Sequence, residues 1–151
     1  MIKSLGIIVI SSFVVLLSSC SHYTAQAPAG YAEFEEDSDF RALSSNGIVF
    51  RVKEVENDPF AELKFWKEAL VHRMKASGYI FIKESEIEIQ GVKSAQVEWG
   101  SFYNKQDYTY MNVLVPSEDF IFVIEVAGES SQFEKDRFKI EAAVQNLKFD
   151  K

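Results

Sequence analysis

Thiol and imidazole chemistry is almost absent from this sequence. Its 151 residues include one cysteine, Cys20, and two histidines, His22 and His72. A lone cysteine forms no internal disulfide, and so few soft ligands exclude the usual Cys/His zinc sites. The seven glycines are scattered, with no dinucleotide fingerprint and no phosphate loop among them. No Gly-x-Ser-x-Gly elbow is present to offer a serine to His72, so that hydrolase pattern has no candidate. Neither a catalytic residue nor a cofactor nor a metal is expected. Positive charge is scarce as well: 16 Lys and Arg stand against 23 Asp and Glu. Such a chain suits neither nucleic acid nor electrostatic adhesion to anionic lipid. Also missing is an apolar run of about 20 residues, the length a spanning helix needs.

Apolar and aromatic residues are plentiful, at 47% and 14% with 13 Phe, enough for one small packed domain. The longest apolar run, Leu5 to Leu17, is interrupted only by Gly6, Ser11 and Ser12, follows Lys3, and leads into Leu17-Ser18-Ser19-Cys20. A short apolar stretch behind a positive residue reads as a signal peptide. Together with the small residues before the cysteine, it resembles the lipobox of a bacterial lipoprotein precursor. The resemblance implies that residues 1–19 are removed and that Cys20 takes a diacylglyceryl group and then an acyl chain such as palmitate on its freed amine. Each buried methylene contributes about 0.8 kcal/mol, so one chain holds marginally and two or three hold stably. Removal of residues 1–19 deletes Lys3 and no acid, leaving 15 bases against 23 acids, a net −8. Lipid on Cys20 is then the expected membrane attachment. Ser21, where many inner-membrane lipoproteins carry Asp, resembles the outer-membrane class. The implied location is the cell envelope, at the outer membrane facing the periplasm in a two-membrane host.

Residues 20–39 mix Ser, Ala, Pro, Gly and acids, and read as a lipidated N-terminus followed by a solvated tether. Residues 40–151 are expected to form a single domain. Ile48 to Val55 alternates as a strand with Phe50 and Val52 inward. Asp58-Pro59 offers an N-cap and first helical position, and Gly78 a stop. Leu63, Trp66, Leu70 and Met74 form the inward stripe between them. Strands follow at 79–83, 86–90, 93–102, 108–115 and 120–127, joined by links short enough to require antiparallel hairpins. A second helix is expected over 132–146, opened by a capping box of Ser131 and Glu134. Phe133, Arg137, Ile140, Val144 and Leu147 line one side of it. The order predicts an α+β fold, a single antiparallel sheet of about five to six strands packed with two helices.

The early strand, the long helix ending in Gly, the segment Ile89-Gln90-Gly91-Val92-Lys93-Ser94-Ala95, the Tyr-rich hairpin, the strand 120–126 and the closing Phe-rich helix together resemble the PsbP-like or DcrB-like domain. Over residues 40–149 the resemblance implies an α/β/α sandwich and a binding or scaffolding role rather than catalysis.

Two surface features invite a functional reading. Glu84, Glu86 and Glu88 alternate, so their carboxylates share a face opposite Ile87 and Ile89; this is a solvated rim or a hard-cation site. Trp99, Phe102, Tyr103, Tyr108 and Tyr110 cluster on one hairpin, with Tyr108, Tyr110 and Asn112 on one face. Such aromatics either bind a partner or form core beneath a helix. The reading of function is a non-enzymatic, envelope-anchored domain that binds a protein or envelope polymer through Trp99, Tyr103, Tyr108 and Tyr110. The alternative is a small-ligand carrier with an apolar pocket between sheet and helices, lined by Trp66, Met74 and Trp99.

Overall fold

The computed structural model describes residues 21–36 and 39–149. Residues 1–19, expected to be a signal peptide, and Cys20 lie outside the described residues. The elements run β1 (Tyr23–Thr24), β2 (Ala32–Glu36), β3 (Asp39–Leu43), β4 (Val49–Glu56), α1 (Leu63–Ala76), β5 (Ile80–Ile89), β6 (Val92–Tyr103), β7 (Gln106–Pro116), β8 (Phe120–Glu129), α2 (Ser130–Gln145) and β9 (Lys148–Phe149). Seven strands form one antiparallel sheet in the order β2-β3-β4-β8-β7-β6-β5, and β1 pairs with β9 as a separate ribbon.

The sheet is wider than the expected five to six strands because the stretch read as a tether folds onto it. Tyr23 is buried, its hydroxyl donating to the Val52 carbonyl at 2.9 Å and accepting from the Phe40 N–H at 3.0 Å. Ala25, Ala27 and Tyr31 pack on the core, and the Tyr31 hydroxyl donates to Asp136 of α2 at 3.1 Å. Ala32–Glu36 then pairs with β3. An acidic, small-residue composition hid this because a few aromatic anchors, not the average polarity, decide where the segment lies.

α1 and α2 lie on opposite faces, which gives the α/β/α layering. Leu63, Trp66 and Leu70 cover Ala95, Leu114, Ile121 and Val123, while Met74 meets Val97 and Trp99. On the other face Phe133, Ile140, Ala143 and Val144 join Phe50, Val52, Met111, Val113, Phe122, Ile124 and Val126. Central strands covered on both faces are apolar at successive positions, as Val113-Leu114-Val115 and Ile121-Phe122-Val123-Ile124 are, whereas the edge strand β5 is not.

Local signals succeeded at some ends and failed at others. Gly78 ends α1 in a Schellman arrangement, with φ +85°, the Tyr79 N–H donating to the Met74 carbonyl and the Gly78 N–H to that of Lys75. The start of α1 is later than Asp58-Pro59. Buried Asn57 takes the Ala61 N–H at 3.0 Å and the Trp66 indole N–H at 2.9 Å on its Oδ1, which fixes residues 57–61 as a loop and places the N-cap at Glu62. The capping box at Ser131 and Glu134 is not formed: Ser131 donates to Glu129, and Glu134 pairs with Arg137. The strands expected at 79–83 and 86–90 are one strand, β5, with a register shift between Phe81 and Lys83.

Gly128 is required by a close approach. A Cβ there would lie 2.8 Å from Ile48 Cγ1 and 3.2 Å from Ile48 Cα, so backbone would have to move. Gly128→Ala should destabilise the domain by about 1–3 kcal/mol, read as a lower urea midpoint at unchanged slope.

Candidate functional site

The antiparallel path gives the molecule two ends. One carries the β5–β6 turn at Gln90-Gly91, the β7–β8 turn at Ser117–Asp119 and the 57–62 loop. The other carries the β6–β7 turn, where Asn104 (φ 49°) and Lys105 (φ 64°) form a two-residue hairpin with Tyr103 opposite Gln106. The loop expected over 104–107 is thus a tight turn, and the strands on either side run longer than the sequence indicated.

The structure divides the aromatic hairpin. Trp99 is fully buried beneath α1, donating its indole N–H to Asn112 Oδ1 at 3.1 Å and meeting the edge of Phe81 at 5.6 Å. It is therefore core and not partner surface. Tyr110 shares that face, tilted against Tyr79 at 5.6 Å, and is largely enclosed. Burial first, and then the Glu125 carboxylate beside it, push its hydroxyl well above the ordinary tyrosine range. Tyr108 is half-buried, its hydroxyl donating to Gln106 at 3.3 Å. Tyr103 is 65% exposed at the tip. Of the four residues singled out by sequence, Tyr103 and Tyr108 reach solvent and Trp99 and Tyr110 hold the hairpin to α1.

Three exposed apolar residues extend this end; Phe102 belongs to the aromatic cluster noted in the sequence, while Ile80 and Ile82 were not singled out. Phe102 is 68% exposed, Ile80 65% and Ile82 52%. Ile80 and Ile82 lie over Gly100, whose missing side chain leaves them room, on the sheet face that carries α2. The hydrophobic triplet Ile80-Phe81-Ile82 was visible in the sequence. The register shift that turns Ile82 outward was not, because a bulge depends on the pairing partner.

Beside these residues sits a buried ion cluster. Glu98, 2% exposed, accepts from Arg137 at 2.8 and 3.0 Å and from Lys83 at 3.2 Å. Burial opposes its ionisation, but Arg137 and then Lys83 outweigh that and hold the carboxyl below its ordinary range. Arg137 also pairs with Glu134 within α2 at 2.6 Å; its guanidinium ties α2 to β6, and Lys83 ties the edge strand to the same Glu98 carboxylate.

The remaining candidates resolve simply. His72 is exposed on α1. Glu84 is paired with Lys67 at 3.1 Å, and Glu84, Glu86 and Glu88 do share a face. No group of three or more metal-ligating side chains occurs among the described residues, and no helix among them is long and apolar enough to cross a membrane. A cleft of about 1080 Å³ opens at the Ser117–Asp119 end between the 57–62 loop and Phe120. A second lies between the start of α1 and β5, and a third beside Phe122 and Phe149. Trp66, Met74 and Trp99 line none of these three.

No protein-family model matches this chain, and no curated protein matches it in sequence. Its fold is shared with solved structures. LpqN of Mycobacterium tuberculosis, involved in cell envelope biogenesis, superposes with a TM-score of 0.69 at 10% identity, over 85% of this chain and 83% of LpqN. The cyanobacterial PsbP of Synechocystis gives 0.59 at 7% identity, over 85% and 86%. A Pseudomonas aeruginosa protein of unknown function gives 0.58 at 9% identity, over 77% and 94%. The chain has the α+β, PsbP-like fold, with two helices on a seven-stranded antiparallel sheet.

Proposed function

We propose that this chain is a lipoprotein of the cell envelope, held by lipid on Cys20, whose domain binds a protein or envelope polymer and catalyses nothing. The observation that carries the reading is the exposed apolar hairpin end, where Ile80, Ile82 and Phe102 stand on the α2 face of the sheet and Tyr103 on the α1 face. Exposed apolar groups gathered at one end mark interaction surfaces, and aromatic residues with polar tips serve such contacts well. Tyr108 lies on the same face as Tyr103, one strand over. The lipobox supplies the location, and Ser21 favours the outer membrane facing the periplasm. The fold shared with LpqN is in keeping with an envelope role. A carrier of small apolar ligands is less favoured, because Trp66 is engaged by Asn57 while Met74 and Trp99 pack together.

The test is in-cell crosslinking of the lipoprotein followed by mass spectrometry, with Tyr103→Ala and Tyr108→Ala alongside the native chain. Tyr103 is exposed enough for its truncation to leave stability within about 0.5 kcal/mol. The variants should lose a crosslinked species that the native protein retains. An unchanged crosslinking pattern sinks the hairpin as the binding surface.

A further inference from the structure

We propose that the lipid on Cys20 is mounted directly on the domain, so that the end bearing the 57–62 loop and the Ser117–Asp119 turn faces the bilayer and the aromatic hairpin points away from it. The inference rests on lipidation as read above, and adds an orientation that the lipobox alone does not give.

It follows from where the described chain begins. The His22 N–H donates to Glu54 at 3.2 Å, and its ring stacks on Phe120 at 4.4 Å. Tyr23 is buried and pairs with Phe149. No free segment therefore separates Ser21 from the fold. One peptide bond, with α-carbons about 3.8 Å apart, joins Ser21 to the lipid-bearing residue, so no tether intervenes between lipid and fold. A tether of residues 21–39 would have let the domain stand off and tumble; a seated Tyr23 prevents both.

The same end suits a lipid surface at headgroup depth. Phe60, 66% exposed, and Phe120 line one cleft there, and exposed apolar rings can insert at the boundary of headgroups and acyl chains. Glu56, Asp58, Glu62, Glu118 and Asp119 on that rim keep the end from entering hydrocarbon, where charge is costly. The opposite hairpin is separated from it by the length of β7. The strand from Gln106 to Pro116 has 11 residues, and its roughly ten steps of about 3.3 Å place the hairpin roughly 33 Å further out, at the level of a partner beyond the headgroups.

Once Cys20 is lipidated the chain has no other thiol, so Glu118→Cys and Gln106→Cys each give a single labelling site at an exposed position. The full lipoprotein, purified from membranes and placed in phosphatidylcholine vesicles containing headgroup-nitroxide lipid, is labelled with a fluorophore at one site or the other. The label at 118 should lose most of its fluorescence and the label at 106 almost none. A flexible insertion of about 20 Gly and Ser residues between Cys20 and Ser21, spanning roughly 25 Å on average, should erase the difference. Equal quenching at both sites in the native chain, with mass spectrometry confirming lipid on Cys20, overturns the mount and leaves the anchor standing. Absence of lipid on Cys20 removes the anchor, and the mount falls with it.

Discussion

Replacing Tyr23 with alanine is expected to cost the domain about 4 kcal/mol, a large share of the stability of a small domain. The residue stands at the third position after the proposed lipidation site, where a tether residue would change stability by about 0.5 kcal/mol at most. Its ring lies against Phe122 with centroids 6.1 Å apart, and its hydroxyl bridges β3 and β4 by donating to Val52 and accepting from Phe40. Alanine removes the ring and also strands a buried carbonyl and a backbone N–H, each loss adding about 1 kcal/mol. Tyr23→Phe retains the ring and should cost only about 1–2 kcal/mol. Urea denaturation of the native chain and both variants separates the outcomes. An alanine midpoint equal to the native one would show that the segment is a tether after all.

Arg137→Ala should be nearly as damaging, by about 3 kcal/mol at neutral pH, because it leaves the buried Glu98 carboxylate with Lys83 as its remaining ionic partner. The pH dependence identifies the cause. In the native domain Glu98 titrates below its ordinary value of 4.5, so its pairing stabilises the fold above that value and the benefit is lost as pH falls through the lower, folded-state value. Without Arg137 burial weighs more heavily against the remaining Lys83, and the carboxyl titrates at higher pH than in the native domain. Protonation then relieves the variant, so its deficit against the native protein should shrink as pH falls from 7 toward 4. Glu98→Gln in the Arg137→Ala background should recover part of the loss at neutral pH, since it removes the stranded charge while keeping the shape. A deficit that is constant across this range would assign the effect to lost packing of Arg137 on Phe133, whose ring lies 5.1 Å away.

What was legible in the residues and what was not follows the range of the interactions. Alternation at Phe50 and Val52, the helical stripe from Leu63 to Met74, the Gly78 stop and the hairpin order are local, and each appears in the structure where the sequence placed it. Arg137, noted as the only polar member of the α2 stripe, was the visible sign of the Glu98 cluster. Its partner could not be named, because Glu98 lies 39 positions earlier and meets it only when α2 crosses the sheet. The failures share that origin. Asn57 displaced the start of α1 by bonding Trp66, and the register shift after Phe81 depends on β6.

The sequence by itself determined the types of the elements it marked, their antiparallel connection, the acidic balance and the single cysteine. Tertiary structure alone decided that Trp99 is core, with Tyr110 half-buried against it, while Tyr103 is surface, and that residues 23–36 belong to the fold. Periodicity is a property of neighbours along the chain, so it can be read in one dimension. Burial depends on which face a helix covers and on which distant backbone groups an aromatic hydroxyl can reach. Tyr23 has two such groups, Val52 and Phe40, and they seat it on the sheet.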